Sequence, residues 1–243
     1  MLRRCISAEM IKLRHSRIWL ILIILPVISV LIGSANFYIN QGVLKHEWYS
    51  LWSQVGLFYG EFFFPILIAI CCAYMWRLEH FNKNWNMIMA APISSSCIFL
   101  SKLIVAGLLL IFVQGLFFLL YFFSGKLMGL TSSLPRELSG WLFRGWIAAF
   151  TISALQLALS MRIRSFATTV GIGLCASFVG LGMYVAKLGL FFPHSLMTIG
   201  MGVLSQKGIS QGESIIFFIM NLIYIISISL GAIRWMEGTD VVA

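Results

Sequence analysis

The sequence predicts an all-α integral membrane protein with six transmembrane helices and both termini in the cytoplasm. Three observations carry this expectation. The 243 residues are 60% hydrophobic and only 10% charged, six apolar runs are long enough to cross a bilayer, and Lys and Arg divide unequally between the two sides of those runs. An ordinary soluble domain is about 45–50% apolar and about 25% charged. The polar shell that a soluble enzyme, a disordered chain or a nucleic-acid binder requires is missing here, as the mean hydropathy of +0.95 also says. No nucleic-acid partner is expected, and the formal charge of +9 reads as a record of topology.

Residues 1–17 form a basic segment in which Ile6, Met10 and Leu13 share one helical face beside Arg3, Arg4, Lys12, Arg14 and Arg17. That pattern predicts an amphipathic helix lying on the inner membrane surface among lipid headgroups; the alternative is a basic topogenic tail. The apolar run that follows exceeds a signal-peptide core, so a retained anchor is expected rather than cleavage near Gly33-Ser34-Ala35.

A crossing helix needs about 20 mostly apolar residues. The predicted spans are 18–39, 54–76, 103–123, 145–161, 166–186 and 215–233, with Arg144 limiting the outer end of the fourth. With the N-terminus inside, eleven Lys and Arg fall on the cytoplasmic side and six outside, Lys45, Lys126, Arg136, Arg144, Lys187 and Lys207. The same orientation puts Trp19, Trp76, Trp85 and Trp235 at the inner interface and Trp48, Trp52, Trp141 and Trp146 at the outer one. Indole rings favour that headgroup level.

Between the second and third spans, Phe81, Trp85, Ile88 and Met89 recur at helical spacing before Pro92. A short amphipathic helix held between two spans suits docking of a cytoplasmic partner; contact with lipid alone is the alternative. Glu61 is the one acid well inside a span, and such a carboxyl faces the protein interior or a wet cavity. Either it is structural, reaching water or Arg144, or it lines a substrate path or gate. Gly173 with Ser177 and Ala176 with Gly180 place small residues four apart, as close helix packing in lipid requires, within the bundle or against a second chain. The external segment 188–213 is too apolar for a solvated loop, and Phe191, Phe192 and His194 are candidate substrate contacts there.

Several chemistries are not expected. The Gly125-Lys126 step is followed by Leu127 and lacks the earlier glycine of a phosphate loop. His15, His46, His80 and His194 are far apart, so no metal site and no cofactor are expected in the chain. The five cysteines form no disulfide framework, and Cys71-Cys72 reads as packing.

The segments Ala8-Glu9-Met10-Ile11-Lys12-Leu13-Arg14-His15-Ser16 and Phe64-Pro65-Ile66-Leu67-Ile68-Ala69-Ile70 resemble those of type-2 ABC exporter permease subunits. The similarity continues through Glu79-His80-Phe81-Asn82-Lys83-Asn84-Trp85, Ala91-Pro92-Ile93-Ser94 and Ser101-Lys102-Leu103. It is greatest to the lantibiotic-immunity and bacitracin-resistance permeases. The resemblance implies one permease domain over 1–243, with a coupling helix at 79–89 that seats in a separate ABC ATPase through Glu79, Phe81, Asn82, Lys83, Trp85 and Met89. It implies ATP and Mg on that partner, a second permease chain, identical or diverged, and an external re-entrant cap at 188–213. The expected role is non-catalytic: expulsion of a membrane-active peptide antibiotic from the bacterial cytoplasmic membrane, giving immunity or resistance. Export of a lipid or small drug, or a membrane sensor or scaffold without transport, is the alternative.

Overall fold

Peptide groups inside a bilayer have no water to bond to, so each apolar run closes its own hydrogen bonds as a helix. The computed structural model describes residues 1–81, 85, 87, 88, 92–205 and 209–238, and among these it contains helices and no strand. The helices are α1 (Leu2–Arg14), α2 (Ile18–Ile39), α3 (Glu47–Leu57), α4 (Phe64–His80), α5 (Ser95–Leu127), α6 (Leu138–Arg162), α7 (Phe166–Val185), α8 (Ser195–Met201) and α9 (Gln211–Glu237). Among the described residues six stretches are long and apolar enough to cross a membrane: α2, the continuous Glu47–His80 rod, α5, α6, α7 and α9.

Local chemistry sets where these helices begin. Ser94 and Ser165 accept from the backbone N–H groups of Cys97 and Thr168, and Ser210 forms a reciprocal capping box with Glu213. Four helices extend past the apolar cores expected at 54–76, 103–123, 145–161 and 215–233, because hydropathy marks the membrane core and not the helix ends. Arg144 lies within α6 and does not end it.

The rod is joined by a π-helical turn, Phe58–Phe63. Pro65 cannot donate to the Glu61 carbonyl, and its ring would crowd that group in a regular α-helix. The wider turn just before it relieves the crowding and turns Glu61 inward.

Several of the tryptophans expected at headgroup level are packed inside the bundle. Trp48, Trp52, Trp76 and Trp141 are all buried in the bundle. Burial is tolerated where the indole N–H finds an acceptor: Trp48 donates to the Ser132 carbonyl and Trp52 to that of Met201, both at 3.0 Å. Trp52 stacks on Trp141 at 5.1 Å, and Tyr59 stacks on Phe117 at 3.6 Å. The Tyr59 hydroxyl donates to Gln114, whose amide donates to the Leu142 carbonyl, which accounts for the polar residue in the third span.

The small residues of α7 face into the bundle. Gly173, Ser177 and Gly180 are buried and Ala176 is half-buried. A Cβ on Gly173 would lie 1.9 Å from Gln156 Nε2 and 2.9 Å from Ala69 Cβ, and one on Gly180 would lie 2.9 Å from the Ser195 backbone nitrogen. The opposite faces of α7 and α9 present Phe178, Val179, Ile219 and Leu222 outward, as lipid contact requires.

This packing predicts that Gly173→Leu destabilises by about 3 kcal/mol through overpacking. Gly171→Leu, where nothing lies within 4 Å, changes stability by less than about 0.5 kcal/mol. Thermal unfolding of the two variants in the same detergent checks the contrast.

Candidate functional site

Two polar sites stand out, one at the inner end of the rod and one at its π turn. At the end nearest the chain termini, four charged side chains from three helices meet. Lys102 on α5 is wholly buried and donates to Glu9 Oε2 at 2.8 Å, Glu79 Oε1 at 2.7 Å and the Met75 carbonyl at 3.3 Å. Lys12 on α1 bonds the other Glu9 oxygen at 2.7 Å and shares Glu79 Oε1 at 2.6 Å. Trp76 caps Lys102 with its ring face at 4.9 Å.

Two ammonium and two carboxylate groups balance, which is the condition under which charges tolerate burial. Burial works against the Lys12 ammonium, yet the Glu79 and Glu9 carboxylates outweigh it and hold its pKa above the ordinary lysine value. The cluster binds α1 to the bundle through its Glu9–Leu13 face. The expected surface helix is thus also an anchored structural element.

Glu79, expected to face a partner, is turned inward and is only 2% exposed. Beside it, His80 donates from Nε2 to the Ser160 carbonyl at 3.1 Å. Trp85 lies 5.6 Å from the His80 ring and 5.5 Å from Trp76, extending to Trp235 at 6.4 Å. The rod ends at His80, and Phe81 turns into an extended conformation with its ring 62% exposed. Of the expected coupling residues, Asn82, Lys83 and Met89 lie outside the described residues. Phe81 is open to a partner, as is Met87.

Midway along the rod, the π turn packs against α7 and α8. Glu61 is 6% exposed and faces Thr198 rather than Arg144; Glu61 Oε1 and Thr198 Oγ1 have no hydrogen-bond partner. Thr198 lines a cavity of about 650 Å³ together with Trp141, Tyr184, Lys187, Leu190 and Glu213. The expected cap resolves into a turn at Gly189–Phe191 and the helix α8.

Sequence reasoning placed Phe191, Phe192 and His194 on the substrate path; the rings of Phe192 and His194 lie 5.9 Å apart, and Phe191 does not join them. Phe191 points outward, whereas His194 packs against Gly180 beneath the cap and is 4% exposed. Both His194 ring nitrogens lack partners, and burial pushes its pKa down to about 4. Thr198 and Tyr184 were missed. An uncharged threonine in an apolar stretch carries no sequence signal; only the inward turn of Glu61 reveals it.

The family model described as ABC-2 family transporter protein matches residues 5–180. No curated protein matches the chain.

Two outcomes follow from the charges. Lys102→Met strands two carboxylates beside a half-exposed lysine and lowers stability by about 3–5 kcal/mol. The double variant Glu79→Leu with Lys102→Met keeps the Glu9–Lys12 pair and recovers most of that loss in thermal unfolding. His194 stays neutral in the fold, while unfolded chains take up its proton near pH 6.5. Stability therefore falls as pH drops from about 6.5 towards 4, by roughly 3 kcal/mol. His194→Gln flattens that limb of a melting-temperature profile.

Proposed function

This chain belongs to the ABC-2 family of transporter proteins, and we propose that it is the permease subunit of an exporter for a membrane-active peptide antibiotic. Membership makes it a multi-pass membrane transport subunit and implies association with ABC ATPases. In the proposed assembly those ATPases bind and hydrolyse ATP with Mg on the cytoplasmic face of a bacterial membrane. A second permease chain, identical or diverged, completes the complex. The peptide, partitioned into the outer leaflet, is expelled outward, giving immunity or resistance.

The observation that carries this reading is the Glu47–His80 rod. It is one helical element with a buried acid at its π turn and a buried charge cluster at its inner end. Wider turns of this kind concentrate at functional sites. A shift imposed at Phe81 and the segment beyond it reaches Glu61 through continuous backbone, without passing through a loop. Binding of a peptide at the outer end and closure of ATPases at the inner end thereby act on the same rod.

In lipid nanodiscs the reading predicts that a co-purified ATPase turns over faster when a membrane-active peptide antibiotic is added. Phe81→Ala lowers recovery of that ATPase by about tenfold, with the permease still folded. Turnover raised by a lipid or small drug and not by peptide would change the substrate class. A stable complex whose turnover no amphiphile alters would move the function to a sensor or scaffold.

A further inference from the structure

The residues around the outer cavity include hydrogen-bond donors that the protein leaves without acceptors. Trp141 is 1% exposed and stacks on Trp52 at 5.1 Å, which fixes its ring. A buried indole N–H ordinarily finds an acceptor, as those of Trp48 and Trp52 do, yet the Trp141 N–H meets none among the described residues. The Trp76 N–H is also unpartnered but is sealed inside the bundle, whereas Trp141 borders the cavity. Its Nε1 faces Gly202, another lining residue, with a φ of +58°; a Cβ there would lie 2.6 Å from that nitrogen.

Tyr184 and Lys187 line the same space, and neither the hydroxyl nor the ammonium has a hydrogen-bond or ion-pair partner among the described residues. Glu213 also lines it, but its Oε2 already accepts from the Ser210 N–H and hydroxyl. Donors outnumber free acceptors and one donor is a cation, so the complementary group is an anion with several oxygens. Lys187 and Glu213 cancel in net charge, which favours a ligand that carries a cation beside its anion over one that adds uncompensated negative charge.

Position supplies the rest. The cavity lies at the outer end of α7 and the start of α9, where the orientation set by Lys and Arg puts the outer headgroup layer. Leu190, Ile199 and Ile209 give it an apolar wall, and Val185 on its lining is 72% exposed on the lipid side of α7. An acyl chain leaving past Val185 continues along that flank.

We infer that the cavity binds the zwitterionic phosphodiester headgroup of an outer-leaflet phospholipid. The Trp141 N–H, the Tyr184 hydroxyl and Lys187 hold the phosphate, and the second oxygen of Glu213 receives the headgroup ammonium. The site stands independently of the export reading, because none of these observations concerns the transported molecule.

The test uses the full chain, delipidated in dodecyl maltoside. Ser205→Cys places a thiol on the exposed part of the cavity lining, in a background where Cys5, Cys97 and Cys175 are replaced by serine. The probes are dioleoylphosphatidylethanolamine, dioleoylglycerol, which lacks the headgroup, and glycerophosphoethanolamine, which lacks the chains. The readout is the probe concentration that halves the rate of maleimide labelling.

The phospholipid is expected to protect at roughly tenfold lower concentration than dioleoylglycerol. Tyr184→Phe combined with Lys187→Met brings the two within about twofold. Trp141→Phe, which removes the N–H and keeps a ring, narrows the difference, and Lys187→Arg retains it, which a purely structural role for these residues would not produce. Equal protection by the two dioleoyl probes with the cavity unsubstituted overturns the inference, whether or not the variants fold. So does a preference that survives the double variant. Protection by glycerophosphoethanolamine at the same concentration as by the whole lipid also overturns it, since the apolar wall would then hold nothing.

Discussion

The contacts of Lys102 with Glu9 and Glu79 govern how the inner half of this molecule is built. A wholly buried ammonium is tolerated only with compensation at hydrogen-bond distance. Lys102 receives it from two carboxylates on different helices, one 93 residues and one 23 residues away in sequence. Lys12 then balances the second carboxylate. Three elements distant in sequence, α1, α4 and α5, are thereby tied together where the rod gives way to the segment at Phe81. A displacement of α4 that broke one of these bonds would leave an uncompensated charge, so the three helices are expected to move together.

In the membrane-embedded part, cohesion comes from a different source. Lipid offers no hydrophobic drive between helices, so packing and internal hydrogen bonds must hold the bundle. Aromatic stacking along Tyr59, Phe117, Trp52 and Trp141 and indole bonds to backbone carbonyls serve that purpose. Thr151 with Asn221 at 2.5 Å joins α6 to α9, and Gly173 and Gly180 let α7 approach closely. Polar satisfaction is incomplete in several places: Glu61, Thr198 and His194 have buried atoms without partners, and so do Trp76, Gln156, Ser160 and Ser229. The distortion of the rod beside Glu61 has a local cause in Pro65.

The helices were legible in the sequence because hydropathy is a local property that a run of about 20 residues displays in full. The inward stripe of Gly173, Ser177 and Gly180 was legible for the same reason, through its spacing. Glu9, Lys12, Glu79 and Lys102 were visible only as separate members of motifs, since no periodicity pairs residues across the chain. Glu79 was accordingly assigned to an external partner when its partners are internal. For Trp48 and Trp52 the sequence suggested a depth but not which carbonyls their indoles meet. Glu61 was singled out from its charge alone, but its neighbour Thr198 became visible only once the π turn fixed the rotation of the rod.

Reciprocal charge exchange tests most directly whether the buried charge cluster ties α1, α4 and α5 to the movement of the rod. ATP turnover and peptide export would be compared in reconstituted vesicles for the unsubstituted protein, Glu79→Lys, Lys102→Glu and the double exchange. Each single variant leaves the cluster with an unbalanced charge, while the double exchange restores two charges of each sign. The account predicts that the single variants lose peptide-stimulated turnover and export, and that the double variant regains a substantial part of both. Single variants that fold and export at the unsubstituted rate would contradict it.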